Sequence, residues 1–183
     1  MLSAIGRTAL LVSLLWGISG CSRVRVALYD RGTREDYAGE AREALASSPA
    51  ARDAQLRQGM VTTAEQYTGT RYKYASTDPK KGFDCSGLVH YAGNKQGLQL
   101  ARSSRALAAS GERIPWKKAR IGDLVFFGTS GRIDHVAIVK KNDASGLWVV
   151  HATTQRGVIS ENVLASSYWK KRLLHAVNLS SLQ

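Results

Sequence analysis

Three side chains in this sequence can do covalent chemistry together: Cys85, His135 and His151. A thiolate is a strong nucleophile, and an imidazole is the usual base that generates one. Cys85 follows Asp84, a residue type favoured at helix N-caps, and it opens 84–96 (DCSGLVHYAGNKQ), which reads as a helix ended by Gly97. A thiol at a helix start meets unpaired N–H groups and about half a positive charge, so its pKa is expected below that of a free thiol. The same N–H groups can hold the oxyanion of a tetrahedral intermediate. Ser86 and Gly87 are small enough to let a carbonyl approach. A buried structural cysteine is the alternative for a lone Cys.

His135 and His151 lie in two runs rich in β-branched residues, 134–140 (DHVAIVK) and 147–152 (LWVVHA), joined by a turn around 142–146. Strand side chains alternate between faces, and paired residues share a face. A turn centred on position 143 puts the two histidines directly opposite, and one centred on 144 makes them diagonal neighbours. A register whose paired positions add to an odd number separates them. Either of the first two gives a base oriented by a second polar group, the logic of a catalytic triad. The alternatives are two ordinary half-buried histidines, or a zinc site of one Cys, two His and a water.

The elements that must position these groups follow from the pattern. Positions 59–67 (GMVTTAEQY) read as a helix ending at Gly69, and 72–83 holds Asp78-Pro79 and Gly82, the chemistry of a loop. Further strands are expected over 122–127 (GDLVFF) and 173–179 (LLHAVNL). Helices first and adjacent strands afterwards predict an α+β domain with helices packed on a mainly antiparallel sheet. The stretch 33–57 is rich in Ala, Glu and Arg, has a thin apolar stripe, and reads as a tether with helical tendency.

The run 82–89 (GFDCSGLV) resembles the cysteine motif of the NlpC/p60 peptidoglycan peptidases. In the order typical of that family, 69–72 (GTRY) resembles the segment upstream of the nucleophile, 122–128 (GDLVFFG) the central strand, 134–139 (DHVAIV) the histidine strand and 150–152 (VHA) the strand of the third polar residue. The resemblance runs from about Gln58 to Leu179, and the plan is closest to the family's small single-domain lipoproteins. It implies a circularly permuted papain-like cysteine peptidase fold. Cys85 is then the nucleophile, His135 the base and His151 the orienting residue. The resemblance places Tyr72 beside the nucleophile, where it can help the oxyanion, and gives Asp84 and Ser86 to the amine end of a stem peptide. It implies no cofactor and no metal. The favoured bond joins D-γ-glutamyl to meso-diaminopimelate, with a diaminopimelate–D-Ala crosslink or another amide as alternatives. Two departures bear on the groove: Tyr74-Ala75-Ser76 stands where the family often has two glycines, and Ala101-Arg102-Ser103-Ser104 lacks a frequent proline.

At the front, Arg7 precedes the apolar run 8–18 (TALLVSLLWGI), and Ile18-Ser19-Gly20-Cys21 resembles a bacterial lipobox. The expected organisation is a signal peptide over 1–20, a lipidated N-terminus and tether over 21–57, and the peptidase domain over 58–183. Cys21 is the lipidation site, and Ser22 after it favours the periplasmic face of the outer membrane if the source is Gram-negative. Lipidation would leave Cys85 as the one free thiol. More than one acyl chain gives lasting anchorage.

The 183 residues are 44% apolar and 22% charged, which argues against a disordered, collagen-like or polytopic membrane chain. The net charge is +12, spread over pairs such as Lys80-Lys81, Lys117-Lys118 and Lys140-Lys141. Export takes the chain away from nucleic acid, so anionic wall or membrane surfaces are the expected counterpart. The expected partners are peptidoglycan stem peptides and, through the lipid anchor, a membrane; the chain is expected to be a monomer. A wall-binding lipoprotein without turnover is the rival reading.

Overall fold

The computed structural model describes residues 31–182. The expected signal peptide and Cys21 lie outside the described residues. The chain divides at position 41, and residues from 42 onwards form one compact unit. Helix α1 spans Arg31–Ala46 and exposes its side chains from Arg42 onwards. Among the described residues no helix is long and apolar enough to cross a membrane.

Helix α2 (Pro49–Glu65) opens with Ser48 as N-cap, its hydroxyl accepting from the Ala51 N–H, and with Pro49 at the first helical position. It crosses position 57, where the sequence suggested a tether giving way to the domain, and absorbs the helix expected over 59–67. The cause is Arg57, 2% exposed, whose guanidinium reaches into the rest of the fold. The sequence pattern gave this buried arginine no partner.

Helix α3 (Cys85–Lys95) stands where the sequence placed it, and α4 (Ser104–Ser110) follows. Six strands then build one sheet: β1 (Arg113–Ile114), β2 (Leu124–Thr129), β3 (Arg132–Asp143), β4 (Gly146–Thr153), β5 (Gly157–Asn162) and β6 (Leu173–Val177). Their order is β1-β6-β2-β3-β4-β5, and all neighbours run antiparallel. The α+β architecture read from the sequence is therefore the one found. Strand β5, and α5 (Ser167–Arg172) after it, were not anticipated. β5 is the sheet's last strand, half-buried from Ile159 to Asn162, and its mixed composition hides the pattern.

Alternation along the strands divides the apolar side chains between two faces. Leu124, Phe126, Val136, Ile138 and Val150 pack on the helices through Met60, Val61, Leu88 and Val89. Val125, Phe127, Ala137, Val139, Leu147 and Val149 form the second face, covered by Trp116, Leu164 and Trp169. Each fully buried side chain of this kind contributes about 1.5–3 kcal/mol. The two packed faces hold β3 and β4 rigidly, and these strands carry the histidines.

Candidate active site

Cys85 is the first residue of α3. Asp84 caps the helix: its Oδ1 accepts from the Gly87 N–H at 2.6 Å. Arg102 grips the same carboxylate with its two terminal guanidinium nitrogens, at 2.9 and 2.7 Å, and also donates to Ser86 Oγ at 3.0 Å. The loop before the helix closes over it, the Asp84 N–H donating to the Ser76 carbonyl. A Cβ on Gly87 would run into that carbonyl, so close backbone approach demands glycine there. In the same loop Ala75 has φ +55°, a conformation glycine takes freely and alanine takes at a cost of about 1 kcal/mol. Tyr72 pairs with Phe83 through an isolated bridge, which fixes it beside the start of α3.

The two histidines meet because of a β-bulge. At the β3–β4 turn the pairs are Asp143 with Gly146 and Asn142 with Leu147, an odd-sum register that would put His135 and His151 on opposite faces. The register shifts between Val139 and Lys141, and beyond it Val139 pairs with Val149 and Ile138 with Val150. One extra residue on β3 thus restores the even register. His135 and His151 become diagonal neighbours on the second face, with His135 Nε2 to His151 Nδ1 at 2.9 Å.

Two residues that the sequence did not single out complete the arrangement. Glu161 on β5 accepts from His151 Nε2 at 2.9 Å, from Trp169 Nε1 at 2.9 Å and from Arg156 at 2.7 Å, all through one carboxylate oxygen. Trp169 on α5 stacks on His135 with ring centroids 4.6 Å apart and planes 29° from parallel. The signal for Glu161 was its alternation along β5, since Val149 pairs with Glu161 and His151 with Ile159. Reading it requires knowing that β5 pairs with β4.

Cys85 and His135 line one cavity of about 520 Å³, together with Tyr72, Asp134, Arg156, Tyr168, Trp169 and Arg172. Asp84 and Ser86 are buried behind the nucleophile, and the cavity lining does not include them. Arg102 and the Gly87 N–H take up the acceptor capacity of Asp84, so its visible work is to fix the start of α3. Both ring nitrogens of His151 are engaged, which leaves it no lone pair for a metal. Among the described residues, no group of three His, Cys, Asp or Glu side chains is placed to hold an ion.

The electrostatics differ from the helix-start expectation. Burial pushes the Cys85 thiol up, and it outweighs the N–H groups of Val136, Ser86 and Cys85 that favour the thiolate. Burial, and then the neighbouring His151 and Arg172, hold His135 well below the ordinary imidazole value, although Glu161 raises it. His151 is also lowered, by burial against the pull of Glu161. The resting pair is therefore a thiol facing a neutral imidazole. Burial raises the Tyr72 phenol, with Cys85 and Asp84 adding to it, so the hydroxyl keeps its proton and remains a donor.

These shifts set the acid stability. His135, His151 and His175 all have folded values below their unfolded ones, so the unfolded chain binds more protons as the pH falls. Stability is full above about pH 6.5 and declines below it, by at most about 1.4 kcal/mol per pH unit for each histidine. Glu161, held down to about 2, adds a second loss as the pH falls from about 4.5 towards that value. Thermal melts from pH 8 to pH 4 should show the first decline starting near 6.5. His175 stacks on Phe126 with its Nδ1 unpartnered, so His175→Phe should flatten that first slope.

Residues 69–178 match the NlpC/P60 family. The chain is 36% identical over 124 residues to the murein DD-endopeptidase MepS/murein LD-carboxypeptidase of Escherichia coli (strain K12), covering 66% of this chain and 62% of that protein. It is 31% identical over 125 residues to the gamma-DL-glutamyl hydrolase of Bacillus subtilis (strain 168), covering 67% of this chain and 30% of that protein. The chain thus spans less than two thirds of the length of these relatives. Among solved structures, the NlpC/p60 domain of the peptidoglycan hydrolase SagA superposes with a TM-score of 0.56 at 28% identity, covering 67% of this chain and 98% of that one.

Proposed function

The chain belongs to the NlpC/P60 family, and on that premise we propose that it is a cysteine peptidase that hydrolyses an amide bond of peptidoglycan stem peptides. The observation that carries this reading is the shared cavity of Cys85 and His135, with His151 bonded to the far side of the imidazole. The D-γ-glutamyl–meso-diaminopimelate bond is favoured. The murein DD-endopeptidase named above makes a crosslink the second candidate.

The chemistry follows from the charges at rest. His135 takes the Cys85 proton as the sulfur attacks the carbonyl carbon, so the thiolate forms where it is used. The N–H groups at the start of α3 and the Tyr72 hydroxyl are the donors available to the oxyanion. The imidazolium returns its proton to the amine nitrogen as the C–N bond breaks, leaving a thioester on Cys85. Water then attacks the thioester with His135 as base; the C–S bond breaks, the proton held by His135 returns to sulfur, and the carboxylic acid departs and gives its proton to solvent. Arg156 and Arg172 in the lining suit a substrate bearing carboxylates. We propose further that Cys21 is lipidated after removal of 1–20 and anchors the domain at the periplasmic face of the outer membrane.

The test is digestion of purified sacculi by the full chain in detergent, beside its Cys85→Ala variant, with released fragments identified by mass. Fragments from the unaltered chain alone support the reading, and their masses name the bond. Binding of both chains to sacculi with no release from either gives the wall-binding alternative.

A further inference from the structure

We propose that Glu161 is a positioning residue that fixes the tautomers of both histidines, leaving Nδ1 of His135 as the lone pair that takes the Cys85 proton. The inference rests on the peptidase reading for its use, and on hydrogen-bond geometry alone for its substance.

A carboxylate can only accept, so the 2.9 Å contact between Glu161 Oε1 and His151 Nε2 requires the hydrogen on Nε2. The neutral His151 ring then has its lone pair on Nδ1. The 2.9 Å contact between His151 Nδ1 and His135 Nε2 therefore has His135 as donor. With its hydrogen on Nε2, His135 keeps Nδ1 bare. The opposite chain of tautomers would put a hydrogen on that Nδ1 and leave it unable to accept from sulfur. His151 by itself permits either chain, because each of its nitrogens can donate or accept. The choice is made one residue further out.

Glu161 is built to stay an acceptor. It accepts from Arg156 and from Trp169 Nε1 through the same oxygen, and the bonds from His151 and Arg156 keep it anionic. The Trp169 bond does a second job, since the indole it anchors stacks on His135 and sets the plane of the ring. One carboxylate thus decides both the proton positions and the ring orientation of the base. When His135 becomes imidazolium, its Nε2–H still donates to His151, so no hydrogen bond in the chain has to invert.

The test reads the rings directly. The full chain, labelled with ¹⁵N-histidine, has four histidines, and two-bond correlations distinguish protonated from bare ring nitrogens. At pH 8, His135 and His151 are expected to carry hydrogen on Nε2 alone. In Glu161→Gln, whose side-chain amide can donate as well as accept, both rings should populate the Nδ1–H form. Peptidoglycan cleavage should fall about 10²-fold in kcat with little change in KM. Arg156→Ala, which keeps the carboxylate, should keep the single tautomer. Hydrogen on Nδ1 of His135 in the unaltered chain overturns the proposal, and so does a Glu161→Gln variant that retains both the tautomers and the rate. An unaltered chain with Nε2–H tautomers but no turnover on sacculi would overturn the peptidase reading and leave this one standing.

Discussion

Replacing His135 with alanine should lower kcat/KM at pH 7 by about 10⁴-fold or more, and it should make the residual rate climb about tenfold per pH unit. Both effects follow from a nucleophile that does not ionise by itself. Burial holds the Cys85 thiol above its ordinary value, so without a base about one chain in a hundred or fewer carries a thiolate at pH 7. Loss of the acid that protonates the leaving amine removes a further 10²–10⁴-fold or so. Because the remaining nucleophile is solvent-generated thiolate, the rate tracks its concentration. The profile of the unaltered chain should differ in shape as well as height. His135 sits well below the ordinary imidazole value, so the acid limb of its profile lies below about pH 6.5 and the rate is level above it. Alkylation of Cys85 with iodoacetamide gives a readout that needs no substrate. A His135→Ala variant alkylated as fast as the unaltered chain at pH 7 would show that the helix start alone ionises the thiol.

That reversal of the thiol's expected shift marks where the sequence stops being informative. The N-cap at Asp84, the helix behind it and the small residues after Cys85 are local features, and each appears where the pattern put it. Ionisation of Cys85 depends on its burial in the folded chain and on the Val136 N–H of β3. The meeting of the histidines was legible only as one of two kinds of register. The turn itself selects the wrong one, and the bulge between Val139 and Lys141 corrects it. No local pattern announces a bulge. Glu161 and Trp169 were invisible for a related reason. An acid in a half-exposed last strand and a tryptophan in a six-residue helix look like surface until the strand is paired and the helix is docked.

Arg57→Met should cost about 3–5 kcal/mol of stability and lower the melting temperature by roughly 10 °C. The residue is 2% exposed and uses its whole guanidinium fork. Nε donates to Asp53, one terminal nitrogen to Asp123 and the Ile121 carbonyl, and the other to Asn178 and Ser180. Asp123, 1% exposed, also accepts from the Arg120 and Leu179 N–H groups, so this pair joins α2 to the entry of β2 and to the chain after β6. Methionine fills much of the space but strands the Asp123 carboxylate. Lysine restores the charge without the planar fork, and it should recover only part of the loss. The fit is close at the backbone too, since a Cβ on Gly122, at φ +82°, would press on Arg57 itself. Arg57 is absent from the lining of the cavity, so kcat of the folded variant at 25 °C should be unchanged. A melting temperature within 2 °C of the unaltered chain would refute the argument. The buried apolar residues of α2 are Met60, Val61 and Ala64, all in its second half. Ahead of them half-buried Leu56 and the polar fork of Arg57 tie the helix down, so amide exchange in the variant should accelerate first over 49–57.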